Sequence, residues 1–151
     1  MLELVHATAG GIIAYKIGSP LLSLPLAFLS HFVLDTLPHW NPNLSREKKK
    51  QGRISTKTMF VVFFDCLIGL FLGLKIASLA LPDVNKAIFV IFGCFAGILP
   101  DLVEAPYFFL NKKTFFLKNL IKFQGSHQWN VSFVWGIAFQ LLYLFVLFYF
   151  L

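Results

Sequence analysis

Long apolar stretches separated by short polar segments make up most of the chain, and they predict a helical protein. Three stretches are long enough to cross a bilayer, which takes about 20 residues of α-helix. They run roughly from Thr58 to Leu81, Lys86 to Val103 and Asn130 to Leu151. The region from Met1 to Leu37 is also apolar, but Gly18-Ser19-Pro20 predicts a helix stop and a turn. It therefore divides into two helices of about 17 residues, short but adequate for a thin or tilted crossing, and the pattern predicts an all-α bundle of about five helices.

Two basic segments, at about 41–57 and 111–129, interrupt the apolar pattern. The first holds six and the second four of the 13 Lys and Arg residues, so ten of the 13 fall there. With five spans both segments lie on one side, which the positive-inside rule makes cytoplasmic. We expect an inner-membrane protein with its N-terminus in the cytoplasm and its C-terminus outside. Asn111 to Phe123 has the pattern of an amphipathic helix on the membrane surface.

Composition supports a membrane location. The 151 residues are 58% hydrophobic and only 13% charged, whereas soluble domains carry about 25% charged residues. Disordered, collagen-like and disulfide-rich classes are excluded by the same figures, and the length predicts one domain over 1–151. The basic segments are then expected to contact anionic membrane lipids, with no direct binding of nucleic acid.

Ionisable side chains inside membrane spans cost on the order of 3 kcal/mol or more each, so the few present need a reason. The predicted topology brings all of them to the cytoplasmic half of the bundle. They are His6, His31, Asp35, His39, Asp65, Asp101, Glu104 and His127. Scattered or snorkelling residues would have divided between the two sides.

Local spacing indicates a metal site. His31 and Asp35 lie four residues apart, and His39 continues the same row; residues at this spacing share a helix face. Asp101 and Glu104, three apart, share a face as well. Imidazole with carboxylate and no thiolate favours zinc, with iron or manganese as alternatives. The set has room for one ion, or two with bridging carboxylates.

Each residue also has a structural interpretation. For His31 with Asp35 the alternative is an ion pair that fixes helix packing. For His6 or His127 the alternative is a hydrogen bond to a backbone carbonyl. Asp65 is suited to orienting a ligand histidine as well as to direct ligation. Glu104, near Pro106, is also explained by solvation in an interfacial turn.

Three features resemble a known family. They are the run from Ser30 to His39 (SHFVLDTLPH), the early His6 followed by a glycine-rich helix, and Gly97-Ile98-Leu99-Pro100-Asp101. These look like the small bacterial membrane-bound metal-dependent hydrolases, including the inner-membrane LexA-binding type, and are more remotely similar to zinc-dependent phospholipase C. The resemblance implies His6, His31, Asp35, Asp101 and His127 as metal ligands, to which spacing adds His39.

Two functions follow as hypotheses. The first is a hydrolase that acts on a lipid or phosphoester at the cytoplasmic interface through a metal-activated water, with Asp65 or Glu104 as general base. The second is a non-enzymatic metal or proton carrier or assembly factor whose His/Asp cluster is structural. A carrier needs polar groups that continue across the bilayer, and the outer halves offer only Lys16, Lys75 and Ser78. We therefore favour the hydrolase.

Overall fold

Seven α-helices form the protein in the computed structural model, which describes residues 1–151. They are α1 (Glu3–Ile17), α2 (Pro20–Asp35), α3 (Leu44–Gln51), α4 (Thr56–Ser78), α5 (Val84–Phe109), α6 (Phe115–His127) and α7 (Phe133–Tyr149). The all-α prediction is confirmed, and the five predicted helices correspond to α1, α2, α4, α5 and α7. The break between the first two falls at Gly18, which caps α1 in the left-handed conformation with φ 70°, a backbone region that glycine enters without steric cost.

Each basic segment contains a helix. The first, which was expected to be a loop, contains α3, and the second contains α6, where a surface helix was expected. Asn43 caps α3 by accepting a hydrogen bond from the backbone N–H of Arg46. Lys48 then turns inward, and its Nζ donates to the Phe108 carbonyl and to Asn111 Oδ1 at 2.8 and 2.7 Å. This lysine donates hydrogen bonds to acceptors at the C-terminal end of α5, where a cation is favoured by the helix dipole, and so fixes α3 to the bundle.

Helix α1 lies at the centre of the bundle and packs against α2, α4, α5 and α7. Small residues make this packing close. A Cβ atom at Gly10 would lie 2.3 Å from the Gly93 carbonyl oxygen, and one at Gly97 would lie 2.4 Å from that of His6. Gly93 and Gly97 are four residues apart on α5, the spacing that lets membrane helices approach to backbone contact. The contact brings His6 beside the polar end of α5.

Two helices, α4 with 23 residues and α5 with 26, are long and apolar enough to cross a membrane, whereas five spans were expected. Helices α2 and α7 are apolar but have only 16 and 17 residues. The predicted last span loses its first residues because 129–131 pair instead with the chain after α2: the Trp129 carbonyl accepts from the His39 N–H, and the His39 carbonyl accepts from the Val131 N–H. Length and hydropathy therefore support two spans directly.

Candidate metal centre

Asp35, the last residue of α2, is the centre of a group of buried side chains from three helices and a loop. Its Oδ1 lies 3.4 Å from His6 Nε2 and 3.8 Å from His39 Nε2, and its Oδ2 lies 3.6 Å from His31 Nε2. Asp101 of α5 joins through Oδ1, 3.7 Å from His31 Nε2. We call His6, His31, Asp35, His39 and Asp101 the His/Asp cluster.

Backbone hydrogen bonds orient two of the imidazole rings. The Nδ1 atom of His31 is 2.9 Å from the Gly97 carbonyl oxygen, and that of His39 is 2.8 Å from the Leu37 carbonyl oxygen. A carbonyl only accepts, so each Nδ1 carries a proton and points away from the cluster, which leaves Nε2 as the ring nitrogen that faces it. Burial, reinforced by the Met1 ammonium, lowers the pKa of His39 below its ordinary value, which keeps this ring neutral.

The inward-facing nitrogens have no hydrogen-bond partner. They are Nε2 of His31 and His39 and both ring nitrogens of His6, all buried. The His6 ring stacks on that of His31 with centroids 3.9 Å apart. Ligand atoms of His6, His31 and Asp101 all lie within 4.8 Å of one another. Buried polar atoms are rarely left unpaired in proteins, so these nitrogens are available to a ligand.

The spacing of these atoms fits a metal ion. Donors about 2.1 Å from a tetrahedral zinc ion lie about 3.4 Å from each other, and the observed nitrogen–oxygen distances run from 3.4 to 3.8 Å. Imidazoles whose second nitrogen donates to a backbone carbonyl are typical of metal-ligating histidines. The N-terminal ammonium of Met1 is paired with Asp35 Oδ1, so a cation bound to this oxygen would compete with the ammonium. The donor set fits zinc, iron or manganese.

Paired loops hold the cluster in place from the α7 side. Besides the exchange at His39, the Trp129 N–H donates to the Asp35 carbonyl. Gln140 of α7 is buried; its Nε2 donates to the Trp40 carbonyl and its Oε1 accepts from the Leu2 N–H. One side chain thus connects the start of α1 to the His39 loop.

Asp65 of α4 contacts the start of α1 and none of the imidazoles. Its Oδ2 accepts from the Glu3 N–H at 2.7 Å and its Oδ1 from the Leu4 N–H at 3.0 Å. These N–H groups have no acceptor within a helix, so Asp65 caps α1 from outside and fixes the turn that carries His6. Neither the expected contact between Asp65 and a ligand histidine nor direct ligation is seen, because both carboxylate oxygens accept from the α1 backbone.

His127 lies outside the His/Asp cluster. The side chain is exposed, and its Nδ1 faces the Phe123 carbonyl at 2.9 Å within α6. The next residue, Gln128, reaches the cluster instead and donates from Nε2 to Asp35 Oδ2 at 3.3 Å.

A cavity of about 420 Å³ opens beside Asp101. Glu3, Asp65, Asp101 and Glu104 contribute carboxylates to its wall, and no lysine or arginine lines it. Glu3 and Asp101 both lie on this wall. We call this space the acidic cavity. Residues 43–45 of the α3 region and Gln124 and Gly125 of α6 close one side of it, so it lies at the end of the bundle that carries the basic helices.

Sequence reasoning missed Glu3, Gln124 and Gln140 as site residues. Gln140 is the only strongly polar side chain in a helix that is otherwise apolar or aromatic, and this contrast was the available signal. Glu3 is a carboxylate within the apolar region from Met1 to Leu37, and this contrast was again the available signal. Gln124 lies in a polar segment, where nothing in the sequence indicates burial.

No protein-family model, curated protein or solved structure matches the chain. The resemblance to membrane-bound metal-dependent hydrolases therefore stays a prediction that rests on the motifs.

Proposed function

We propose that the protein is a membrane-embedded, metal-dependent hydrolase that acts on a lipid or phosphoester at the cytoplasmic face of the membrane. The observation that carries the proposal is the convergence of unpartnered imidazole nitrogens on Asp35 and Asp101. The nitrogen–oxygen distances of 3.4 to 3.8 Å are longer than those of ordinary hydrogen bonds and match the separation between two ligands of one ion.

The exposure of apolar side chains supports the membrane location. Only 34 of 151 residues are buried, and only 22% of the apolar window of α4 lies inside the protein. Phe60, Phe63 and Phe71 of this helix are each more than half exposed. The core helix of a soluble protein would be mostly buried, and an apolar surface of this extent needs lipid or a partner to cover it.

Multiple crossings are part of the proposal. Helices α4 and α5 would span the bilayer, α2 and α7 would cross with a tilt or local thinning, and α1 would be shielded from lipid by its neighbours. The basic residues of α3 and α6 would lie in the cytoplasm, beside anionic head groups. This orientation puts the acidic cavity at the cytoplasmic interface.

The residues of the His/Asp cluster would hold the metal, with His6, His31 and Asp101 as the central ligands because their ligand atoms lie within 4.8 Å of one another, and with Asp35 and His39 beside them. A divalent ion there provides Lewis acidity and lowers the pKa of a water toward neutrality. Of the carboxylates on the cavity wall, Asp65 is engaged with the α1 backbone. Glu3 lines the same cavity and its Oε2 has no partner, so this carboxyl is available to take part in proton transfer.

Metal content tests the proposal. The detergent-purified protein should contain zinc, iron or manganese in a fixed ratio by elemental analysis. His31→Ala removes one nitrogen donor and should strongly reduce this content, as should Asp101→Asn. His127→Ala is the matched control, because His127 is exposed and outside the cluster, and it should keep the wild-type ratio. A metal-free wild type, or equal metal in the His31→Ala and His127→Ala variants, contradicts the proposal.

A flux assay separates the hydrolase from a carrier. Reconstituted wild-type protein should release a water-soluble product from phospholipid vesicles without moving metal ions or protons across them. Metal-dependent flux without product release would instead support the carrier.

A further inference from the structure

The wall of the acidic cavity contains two deeply buried polar side chains whose hydrogen-bonding capacity is unused. Glu104 of α5 is 6% exposed and Gln124 of α6 is 3% exposed. Glu104 Oε1 and both Oε1 and Nε2 of Gln124 have no partner, and both residues line the cavity. Neither belongs to the His/Asp cluster, so a metal there leaves them unpaired. A buried polar atom without a partner is unfavourable, and a ligand in the cavity would remove this cost by pairing with it.

The unpaired atoms specify the chemistry of that ligand. Three of them accept, namely Glu3 Oε2, Glu104 Oε1 and Gln124 Oε1, and one donates, Gln124 Nε2. The ligand must therefore offer mainly hydrogen-bond donors. A phosphate group alone only accepts, and a quaternary ammonium offers no N–H donor.

The charge of the wall narrows the choice further. Four carboxylates line the cavity and no lysine or arginine does, so a cation is favoured over a neutral polyol. The one ammonium on the wall, that of Met1, is paired with Asp35. A primary ammonium satisfies both requirements, because it carries positive charge and three N–H donors.

We propose that the acidic cavity binds the primary ammonium of an aminoalkyl phosphoester through Glu104 and Gln124. The binding of the ammonium does not depend on the proposed function; only the statement that this phosphoester is the substrate rests on it. Glu104 follows Asp101 by three residues on α5, which puts their Cβ atoms about 5–6 Å apart on one helix face. A two-carbon bridge between ammonium and phosphoester spans this separation, so the ammonium at Glu104 directs the ester toward Asp101 and the His/Asp cluster. Leu102, Phe108 and Ile121 on the same wall give the cavity an apolar surface for the rest of a lipid.

Lipid affinity tests this assignment without turnover. Dissociation constants of the detergent-purified full chain are measured by native mass spectrometry for phosphatidylethanolamine and for phosphatidylcholine with identical acyl chains. These head groups differ only in the N-methyl groups that remove the donors. Wild type should prefer phosphatidylethanolamine about tenfold, the effect of one hydrogen bond to a charged group. Equal affinities overturn the proposal.

Variants locate the preference. Glu104→Gln and Gln124→Leu lie on different helices, and each should reduce the preference to near one. Glu47→Gln makes the same change as the first at a residue outside the cavity and should keep the wild-type ratio. If Glu104→Gln does not fold, Gln124→Leu still decides; a preference that survives in every folded cavity variant overturns the proposal.

Two further experiments are needed. One distinguishes a bilayer lipid from a free phosphoester as the source of the ammonium, and the other distinguishes this proposal from the proposed hydrolase function. Competition by soluble glycerophosphoethanolamine at concentrations similar to the lipid identifies a free phosphoester as the ligand, and its failure identifies the bilayer lipid; both results assign the ammonium to the cavity. His31→Ala, which removes a proposed metal ligand, should keep the head-group preference. A preference without hydrolysis would overturn the hydrolase alone, and hydrolysis without a preference would overturn the ammonium site alone.

Discussion

The Asp65 carboxylate accepts hydrogen bonds from the backbone N–H groups of Glu3 and Leu4, three and two residues before His6. A carboxylate with two acceptor atoms satisfies both donors, whereas a carboxamide satisfies one and turns its own NH₂ toward the other. At the scale of single residues, Asp65 thus serves the His/Asp cluster through the backbone that carries His6.

The substitution Asp65→Asn should lower the free energy of unfolding in detergent by about 1–3 kcal/mol, because one buried donor loses its acceptor. Metal content should fall with it as the start of α1 loosens. Thermal unfolding and elemental analysis measure the two effects.

Asp83→Asn is the control for this substitution. Asp83 accepts one N–H, from Lys86, at the exposed start of α5, and Asn caps helices about as well as Asp. Stability and metal content that stay at wild-type values in Asp65→Asn would refute the capping role.

At the scale of elements, the crossing of α1 and α5 shapes the site. Gly97 has two functions at one point: its missing side chain lets the His6 backbone approach, and its carbonyl accepts from His31 Nδ1. The helix contact and the orientation of an imidazole therefore depend on the same residue.

The substitution Gly97→Ala should destabilise the protein and release metal. The new Cβ would lie 2.4 Å from the His6 carbonyl oxygen, and backbone cannot move aside as a flexible side chain does. Overpacking of this kind costs about 1–3 kcal/mol, and the shift displaces two histidines from Asp35. Differential scanning fluorimetry and elemental analysis measure the outcome.

Gly125→Ala provides the comparison, since nothing lies within 4 Å of a Cβ at that position. Alanine is favoured over glycine within a helix by about 0.5–1 kcal/mol, so this variant should be as stable as wild type or slightly more so. Equal stability and metal content in the two alanine variants would contradict a tight α1–α5 contact.

At the scale of the whole molecule, polar and apolar surfaces separate. The basic helices α3 and α6 flank the acidic cavity at one end of α4 and α5. The turn that connects α4 to α5 lies at the opposite end of these two long helices. If α4 and α5 span the membrane, these two regions face opposite compartments.

Cysteine labelling checks that orientation. Lys49 of α3 and Asn85 at the start of α5 are both exposed. In spheroplasts a membrane-impermeant maleimide should label Asn85→Cys and leave Lys49→Cys unlabelled, and lysis should make both reactive. Wild type gives the background, because Cys66 and Cys94 lie within α4 and α5. Labelling of Lys49→Cys before lysis would refute the cytoplasmic position of the site.

Local pattern determined much of the fold in advance. Apolar run length and the Gly18-Ser19-Pro20 break predicted five helices that the structure contains, because each depends on residues adjacent in sequence. The spacing of His31 and Asp35 was informative for the same reason. The end of α5 was harder to predict: Pro100 and Pro106 favour a stop, yet the helix continues to Phe109, where Lys48 from another helix binds its carbonyl end.

The sequence by itself determined that a few histidines and carboxylates lie in an apolar helical chain, since composition and helical period are local properties. Only the tertiary structure decided which of them meet. In the folded protein Asp65 binds the α1 backbone, and His127 lies outside the cluster while Gln128 contacts Asp35. Glu104 and Gln124 are buried in the wall of one cavity. The reason is that contacts between helices depend on crossing points such as Gly10 with Gly93, and on the paired loops at His39 and Asn130. Each of these contacts is formed by residues that are far apart in the sequence, so no local pattern predicts it.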